Sequence, residues 1–226
     1  MYTLIIANKN YSSWSLRAWL LLRELAIPFE EEMRPFSDDI PDRGAISPSG
    51  KVPCLLHDDL SIWDSLAITE YIAERHVGIW PANARARAFG RSAAAEMHSG
   101  FQALRNVCTM NCGLRVRLSA HSPALHADVA RLSALWNDGL ERFGGPYLVG
   151  ERFTAADAFF APVAFRFATY GLAAEGAAEA YPARLLALEG MREWHAAALL
   201  EPYRDREHEE EAKAAGEWLE DRRLVA

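Results

Sequence analysis

The sequence predicts a small α/β domain followed by an all-helical domain, and three observations carry that prediction. Over residues 1–77, short β-branched or aromatic runs alternate with helical repeats in the order β-α-β, then β-β-α. A Gly-Ile-Trp-Pro-Ala-Asn stretch at 78–83 interrupts the pattern, and from Ala84 onward every candidate element is helical and rich in alanine and leucine. The 226 residues are 50% hydrophobic and 24% charged, which is enough to bury two cores and excludes a disordered chain or a fibrous repeat. The expected division is a first domain at 1–77, a linker at 78–84, and a helical domain with a charged tail at 85–226.

The elements follow in order. Residues 2–7 form a strand, and the polar residues 8–13 turn the chain. Leu16, Trp19, Leu20, Leu22 and Ala26 recur at helical spacing until Pro28 stops the helix. Residues 29–33 make the next strand; a helix of this length is what a parallel crossover requires. After a loop rich in Asp, Pro, Gly and Ser, residues 52–56 read as a strand. Asp58-Asp59 turns into a hairpin partner at 60–63, and a helix runs from Leu66 to about Arg75. The second domain reads as helices over 84–119, 123–143, 155–169 and 182–199, with Gly144-Gly145-Pro146, Gly150 and the 171–176 loop between them. Residues 204–223 carry dense charge of both signs and read as a solvated terminal helix.

Charge and cysteine content narrow the function. With 24 Lys and Arg against 31 Asp and Glu, the net charge is −7, so no basic field exists to hold nucleic acid or an anionic membrane. The three cysteines, Cys54, Cys108 and Cys112, lack the spacing of a disulfide framework and suit a reducing cytoplasm. Cys108 and Cys112 lie at i, i+4, but no Cys-x-x-Cys or second ligand pair accompanies them, so packed thiols are expected and no metal. No apolar run reaches spanning length, and the first residues do not read as a signal peptide.

Four motifs stand in order along the chain: Asn10-Tyr11-Ser12-Ser13-Trp14-Ser15-Leu16-Arg17, Ser47-Pro48-Ser49-Gly50-Lys51-Val52-Pro53, Asp64-Ser65-Leu66-Ala67-Ile68, and Phe153-Thr154-Ala155-Ala156-Asp157. Together with the element order they resemble the soluble glutathione transferase superfamily in its serine-type, bacterial-like form, over nearly the whole chain. The resemblance implies a thioredoxin-like, glutathione-binding first domain and a helical domain with an electrophile pocket. It implies glutathione as co-substrate, a homodimer, and detoxification by conjugating a glutathione thiolate to a small hydrophobic electrophile.

Each motif has chemistry of its own. A helix start presents free N–H groups and a positive dipole end, so a hydroxyl there helps stabilise a thiolate. The resemblance assigns that hydroxyl to Ser12, with Ser13 next and Tyr11 third; read from the residues alone, Ser12 or Ser13 caps the helix. Val52-Pro53 is similar to the family's cis-proline turn, whose preceding residue offers backbone groups to the cysteinyl part of glutathione, and Lys51 would pair with the glycyl carboxylate. Asp64 or Ser65 caps the next helix on any reading, and the resemblance makes the pair a clamp for the γ-glutamyl end. Thr154-Ala155-Ala156-Asp157 is a capping-box variant, which makes Asp157 structural.

In the second domain, Met97, Phe101, Leu104 and Cys108 form a helical stripe of core character, and His98, Arg105 and Cys112 lie beside it. His98, Phe101 and Arg105 are the expected electrophile-pocket residues, with Arg105 and His98 able to hold an anionic co-substrate if their face meets the cleft. Rival readings are a glutathione-dependent isomerase or dehalogenase and a non-catalytic binding module. The isomerase branch differs in having cysteine where Trp14 stands. Thiol-disulfide exchange is disfavoured because no cysteine occurs before Pro53 and serine forms no mixed disulfide.

Overall fold

Strand β1 (Tyr2–Ile6) is apolar on both faces because it lies inside its sheet, between a parallel β2 (Phe29–Met33) and an antiparallel β3 (Cys54–His57). Strand β4 (Leu60–Ile62) completes the order β2-β1-β3-β4, and its register puts Leu55 opposite Ile62. The hairpin turns at Asp58, whose φ of 54° falls in the left-handed region that aspartate tolerates. The structure, a computed structural model, describes residues 1–36 and 46–224; most of the polar loop expected after β2 lies outside them.

Helix α1 (Ser13–Glu24) makes the crossover between β1 and β2. Its Leu16, Trp19, Leu20, Leu21 and Leu22 are all buried, on more than one face, because the helix packs against the second domain as well as its own. Helix α2 (Ser65–Ala73) follows β4. The second domain contains α3 (Ala84–Ser99), α4 (Gln102–Val107), α5 (Pro123–Phe143), α6 (Ala155–Tyr170), α7 (Tyr181–Leu186), α8 (Glu189–Leu200) and α9 (Arg206–Ala215). At its centre, α6 is buried everywhere except Ala168 and packs on α1, α3 and α7.

The start of α6 depends on Asp157. This buried carboxylate accepts from Thr154 N–H (2.9 Å), Thr154 Oγ1 (3.2 Å), Leu148 N–H (2.9 Å) and the Tyr181 hydroxyl (2.7 Å). Burial pushes its pKa up, and those four donors oppose the rise. The capping box therefore also ties the 148–154 loop and α7 to the central helix.

Three elements differ from the sequence expectation. The helix expected over 84–119 breaks at Gly100 and Phe101, the latter at φ 59°, and gives way after α4 to strand β5 (Leu114–Leu118). Leu114-Arg-Val-Arg-Leu118 alternates with period two, but its partner β6 (Gly216–Asp221) lies about a hundred residues away in sequence, so nothing local distinguishes the strand from its alanine-rich surroundings. The helix expected over 182–199 divides at Ala187 and Leu188 into α7 and α8.

The charged tail is more than a solvated helix. It forms α9 and β6 and then buries the Arg223 side chain, which is 2% exposed, against Glu209 and Asp221. Burial works against the charge on Arg223, but hydrogen bonds to Asp221 and Glu209 outweigh it and raise the pKa.

Candidate functional site

The β1–α1 turn is held from the second domain. Glu201, just past α8, accepts from the Lys9 N–H at 2.5 Å and the Asn10 N–H at 3.1 Å, and Trp194 Nε1 donates to the Lys9 carbonyl at 2.8 Å. Gly113 N–H donates to Asn10 Oδ1 at 3.1 Å. Burial raises the Glu201 pKa, and the two amides counter it. The segment leading into the first serine motif is thus positioned by both domains.

Ser12 is the N-cap of α1: its Oγ accepts from Ser15 N–H at 3.4 Å and donates to Ser15 Oγ at 2.7 Å, and Ser15 Oγ also accepts from Ala7 N–H at 3.2 Å. Ser12, Ser13 and Tyr11 all line one cleft of about 520 Å³ between the domains. The Tyr11 hydroxyl donates to Glu209 at 2.7 Å and accepts from Arg223. Burial first, then the Glu209 carboxylate, push its pKa well up, so its proton is already committed. Ser13 occupies the first helical position, with its N–H donating to the Tyr11 carbonyl at 2.9 Å.

On the same side, Ser47 organises the second motif: its hydroxyl donates to the Lys51 carbonyl at 2.7 Å and accepts the Lys51 N–H at 3.0 Å. The Val52-Pro53 peptide is cis. Lys51 and Val52 line both the main cleft and an adjoining cavity of about 360 Å³, which Pro53, Trp14 and Asp64 also line. Asp64 caps α2 through Leu66 N–H (2.9 Å) and Ala67 N–H (3.5 Å). Its other oxygen lies 3.3 Å from His98 Nε2, linking the domains. Ser65 borders neither cavity; it lies buried behind Asp64, and its hydroxyl has no partner among the described residues.

Across the cleft stand residues of the helical domain. His98 and Arg105 both line it, so the stripe adjacent to the core stripe does face the cavity. Burial lowers the His98 pKa; Asp64 opposes this, and Arg17 and Arg105 add to it. Cys112 leaves the stripe because the helix has ended, and it packs under the Lys9 carbonyl. Phe101 corrects the expectation of a pocket residue: at the break between α3 and α4 it is 6% exposed, belongs to the core, and does not line the cleft. Cys108 is likewise core, its thiol pushed up to about 12 by burial.

Sequence reasoning missed Arg166, Arg34, Trp14 and His208, all of which line the cleft. Arg166 did have a signal. Apart from Asp157 it is the one charged residue in α6, and a charge inside so apolar a helix needs a reason.

A four-stranded sheet with a crossover helix, a serine-capped helix start and a helical domain closing a cleft over it define a two-domain protein of the glutathione transferase kind. Comparison with known proteins agrees. The family model for the glutathione S-transferase N-terminal domain matches residues 11–75, and that for the C-terminal domain matches residues 119–197. The chain belongs to the glutathione S-transferase superfamily.

It is 28% identical over 158 residues to glutathione S-transferase 1 of Dianthus caryophyllus, covering 66% of this chain and 70% of that protein. A match to dichloromethane dehalogenase of Methylorubrum extorquens is 37% identical over 59 residues but spans only 24% of this chain and 20% of that enzyme. Among solved structures, the Tau class glutathione S-transferase from mango superposes with a TM-score of 0.66 at 21% identity, covering 95% of this chain and 96% of that one. A glutathione transferase homologue from Burkholderia with bound glutathione superposes with a TM-score of 0.64 at 21% identity, covering 87% and 97%. At that identity the superpositions establish the fold.

Proposed function

We propose that the protein is a glutathione transferase in which Ser12 activates the glutathione thiol for attack on an electrophile held by the helical domain. The observation that carries this reading is the position of Ser12: it caps α1 and opens into the cleft bordered by Lys51 and Val52. The Ser12 hydroxyl, turned from Ser15 toward the cavity, donates to a sulfur at the helix start, where N–H groups and the dipole also favour negative charge. A one-unit fall in thiol pKa corresponds to about 1.4 kcal/mol, within reach of one such hydrogen bond plus a helix end.

The γ-glutamyl end fits α2. Asp64, which borders the adjoining cavity, accepts from its ammonium, and the positive end of the α2 dipole favours its carboxylate. Lys51 meets the glycyl carboxylate, and Val52 offers its backbone to the cysteinyl part. The glutathione bound to the Burkholderia homologue supports glutathione as this chain's co-substrate. The short match to dichloromethane dehalogenase covers too little of either chain to assign an electrophile.

Titration calorimetry tests the reading directly. Wild type should bind reduced glutathione, and the Asp64→Ala, Ser65→Ala double variant should bind it much more weakly. Equal affinity in both, or no binding by wild type, overturns the reading.

The protein is further proposed to be a cytoplasmic homodimer, pairing the small domain of one subunit with the helical domain of the other. No helix among the described residues is long and apolar enough to cross a membrane. Light scattering should give about twice the chain mass of 25.2 kDa, and a value near that single mass at micromolar concentration rejects the dimer.

A further inference from the structure

Buried cations in this protein are paired with carboxylates where carboxylates are at hand: Arg223 holds both Glu209 and Asp221. Arg17, Arg105 and Arg166 are treated differently. None makes an ion pair with a carboxylate among the described residues, although Arg17 is 1% exposed and Arg166 is 5% exposed. The three nitrogens of the Arg17 guanidinium are buried without any hydrogen-bond partner, and the group lies 4.2 Å from the Trp14 ring centroid and 5.1 Å from that of Phe159.

Arg105 and Arg166 are held by backbone carbonyls, which orient them without neutralising them. Arg105 Nε donates to the Gly100 carbonyl at 2.8 Å, and its Nη2 donates to the Met97 and His98 carbonyls at the end of α3. Arg166 Nη1 donates to the Cys108 carbonyl. Arg105 Nη1 and Arg166 Nη2 have no protein partner among the described residues and are not sealed from solvent; both side chains line the cleft. Burial, followed by the charge of Arg105, pushes the Arg166 pKa down to about 10. Leaving such charges uncompensated in a low dielectric is costly, so a purely structural role would favour a carboxylate partner. Among the described residues, the cleft lining carries Arg34, Lys51, Arg105 and Arg166 against a single carboxylate, Glu211, which is exposed on α9, and Arg34 is already paired with Glu32.

We propose that the electrophile is an anion whose carboxylate is received by Arg166 and Arg105 on the helical wall, with Arg17 beneath Trp14 adding positive potential. This replaces the small hydrophobic electrophile implied by the sequence resemblance with a carboxylate-bearing one, and it rests on the transferase reading above. The carboxylates of glutathione itself are assigned to Lys51 and α2, so the arginines of α4 and α6 remain for the second substrate. The carboxylate takes no part in bond making. With an aryl chloride, the thiolate electron pair forms the carbon–sulfur bond, chloride leaves with the carbon–chlorine pair, and nothing is oxidised or reduced.

The test compares chlorodinitrobenzoate with its methyl ester at saturating glutathione, each rate divided by its uncatalysed rate with glutathione. Wild type should favour the acid by roughly tenfold or more in kcat/KM, and Arg166→Met should cut that acid-to-ester ratio by roughly tenfold to hundredfold, the worth of a charged hydrogen bond. Arg166→Lys, which keeps the charge, should retain part of the ratio. A wild-type ratio of one or less, or equal loss on both substrates in Arg166→Met, overturns the proposal.

A wild-type measurement needs no variant: benzoate, but not benzamide, should quench tryptophan fluorescence through Trp14 in the absence of glutathione. Glutathione binding without a benzoate preference overturns this inference alone. Benzoate binding without glutathione binding overturns the transferase reading and leaves the anion site standing.

Discussion

The two walls of the cleft are built on different principles. On the α/β wall, short side chains sit at helix starts and turns, each engaged locally: Ser12 with Ser15, Ser47 with Lys51, Asp64 with the first turn of α2. On the helical wall, long cations reach in from α4 and α6, held by backbone carbonyls and with no ion-paired carboxylate among the described residues. On the proposed function, the first arrangement suits a ligand whose thiol must be activated. On the further proposal, the second would select what that thiol attacks. Substitutions on one wall should therefore leave the other wall's property standing, and each prediction below is a way to break or sharpen that separation.

The largest effect belongs to neither wall. Asp157→Ala removes the acceptor for four donors at the start of α6 and should cost about 3 kcal/mol or more of stability, read as a lowered urea midpoint. Glutathione affinity per folded molecule should persist; its loss would mean that the central helix is itself part of the glutathione site.

Ser12→Ala comes next. Losing a hydrogen bond to a charged sulfur should slow conjugation at neutral pH by roughly tenfold to hundredfold, about 1.5 to 3 kcal/mol, with glutathione affinity nearly intact. Ser13→Ala and Tyr11→Phe should do much less, the latter because the Tyr11 proton already belongs to Glu209. Thiolate ultraviolet absorbance against pH in each complex is the direct readout. A raised thiol pKa in Ser13→Ala but not in Ser12→Ala would move the activating role one residue along.

Glu201→Gln probes how far the helical domain positions the α/β wall. One of the two amides of Lys9 and Asn10 then faces an NH2 group, and stability should fall by about 1 kcal/mol. The reaction rate should fall with it, because the turn leading into Ser12 loosens. An unchanged rate in a destabilised protein would show that α1 alone places Ser12.

The smallest effect is on pH dependence. Burial lowers the His98 pKa in the folded chain, so between that value and the ordinary 6.5 the unfolded chain binds more protons at this residue. Stability then rises with pH through this window and falls on acidification below about 6.5. His98→Gln should flatten part of that slope in urea titrations from neutral to mildly acidic pH. An undiminished slope would assign the effect to His195, whose pKa burial also lowers.

The difference between the walls also explains what was legible beforehand. Strand β2 and helix α5 match their expected bounds, since each has a local boundary signal: for β2 the Pro28 break just before it, and for α5 a Ser122 cap with Pro123 at the first turn and Gly144 at the end. The α/β wall was legible for the same reason, because caps and turns are chosen by neighbouring residues. Strand β5 was not, because its alternation gains meaning only when β6, from the far end of the chain, lies beside it. Helical spacing puts Phe101 on the core-type stripe with Met97 and Leu104, and although it was expected in the pocket it packs in the core at the break after Gly100.

By itself the sequence determined the two-domain order, the crossover, the serine-capped helix start, the Asp64 cap and the structural place of Asp157, all of which rest on interactions within a few residues. The tertiary structure decided that Tyr11 is committed to Glu209, that the charged tail folds back to bury Arg223, and that Arg166 emerges from the central helix into the cleft beside Arg105. These outcomes depend on which groups meet across tens to hundreds of residues. Burial in a low dielectric then gives each meeting its weight, turning a carboxylate partner, or the lack of one, into the property that matters.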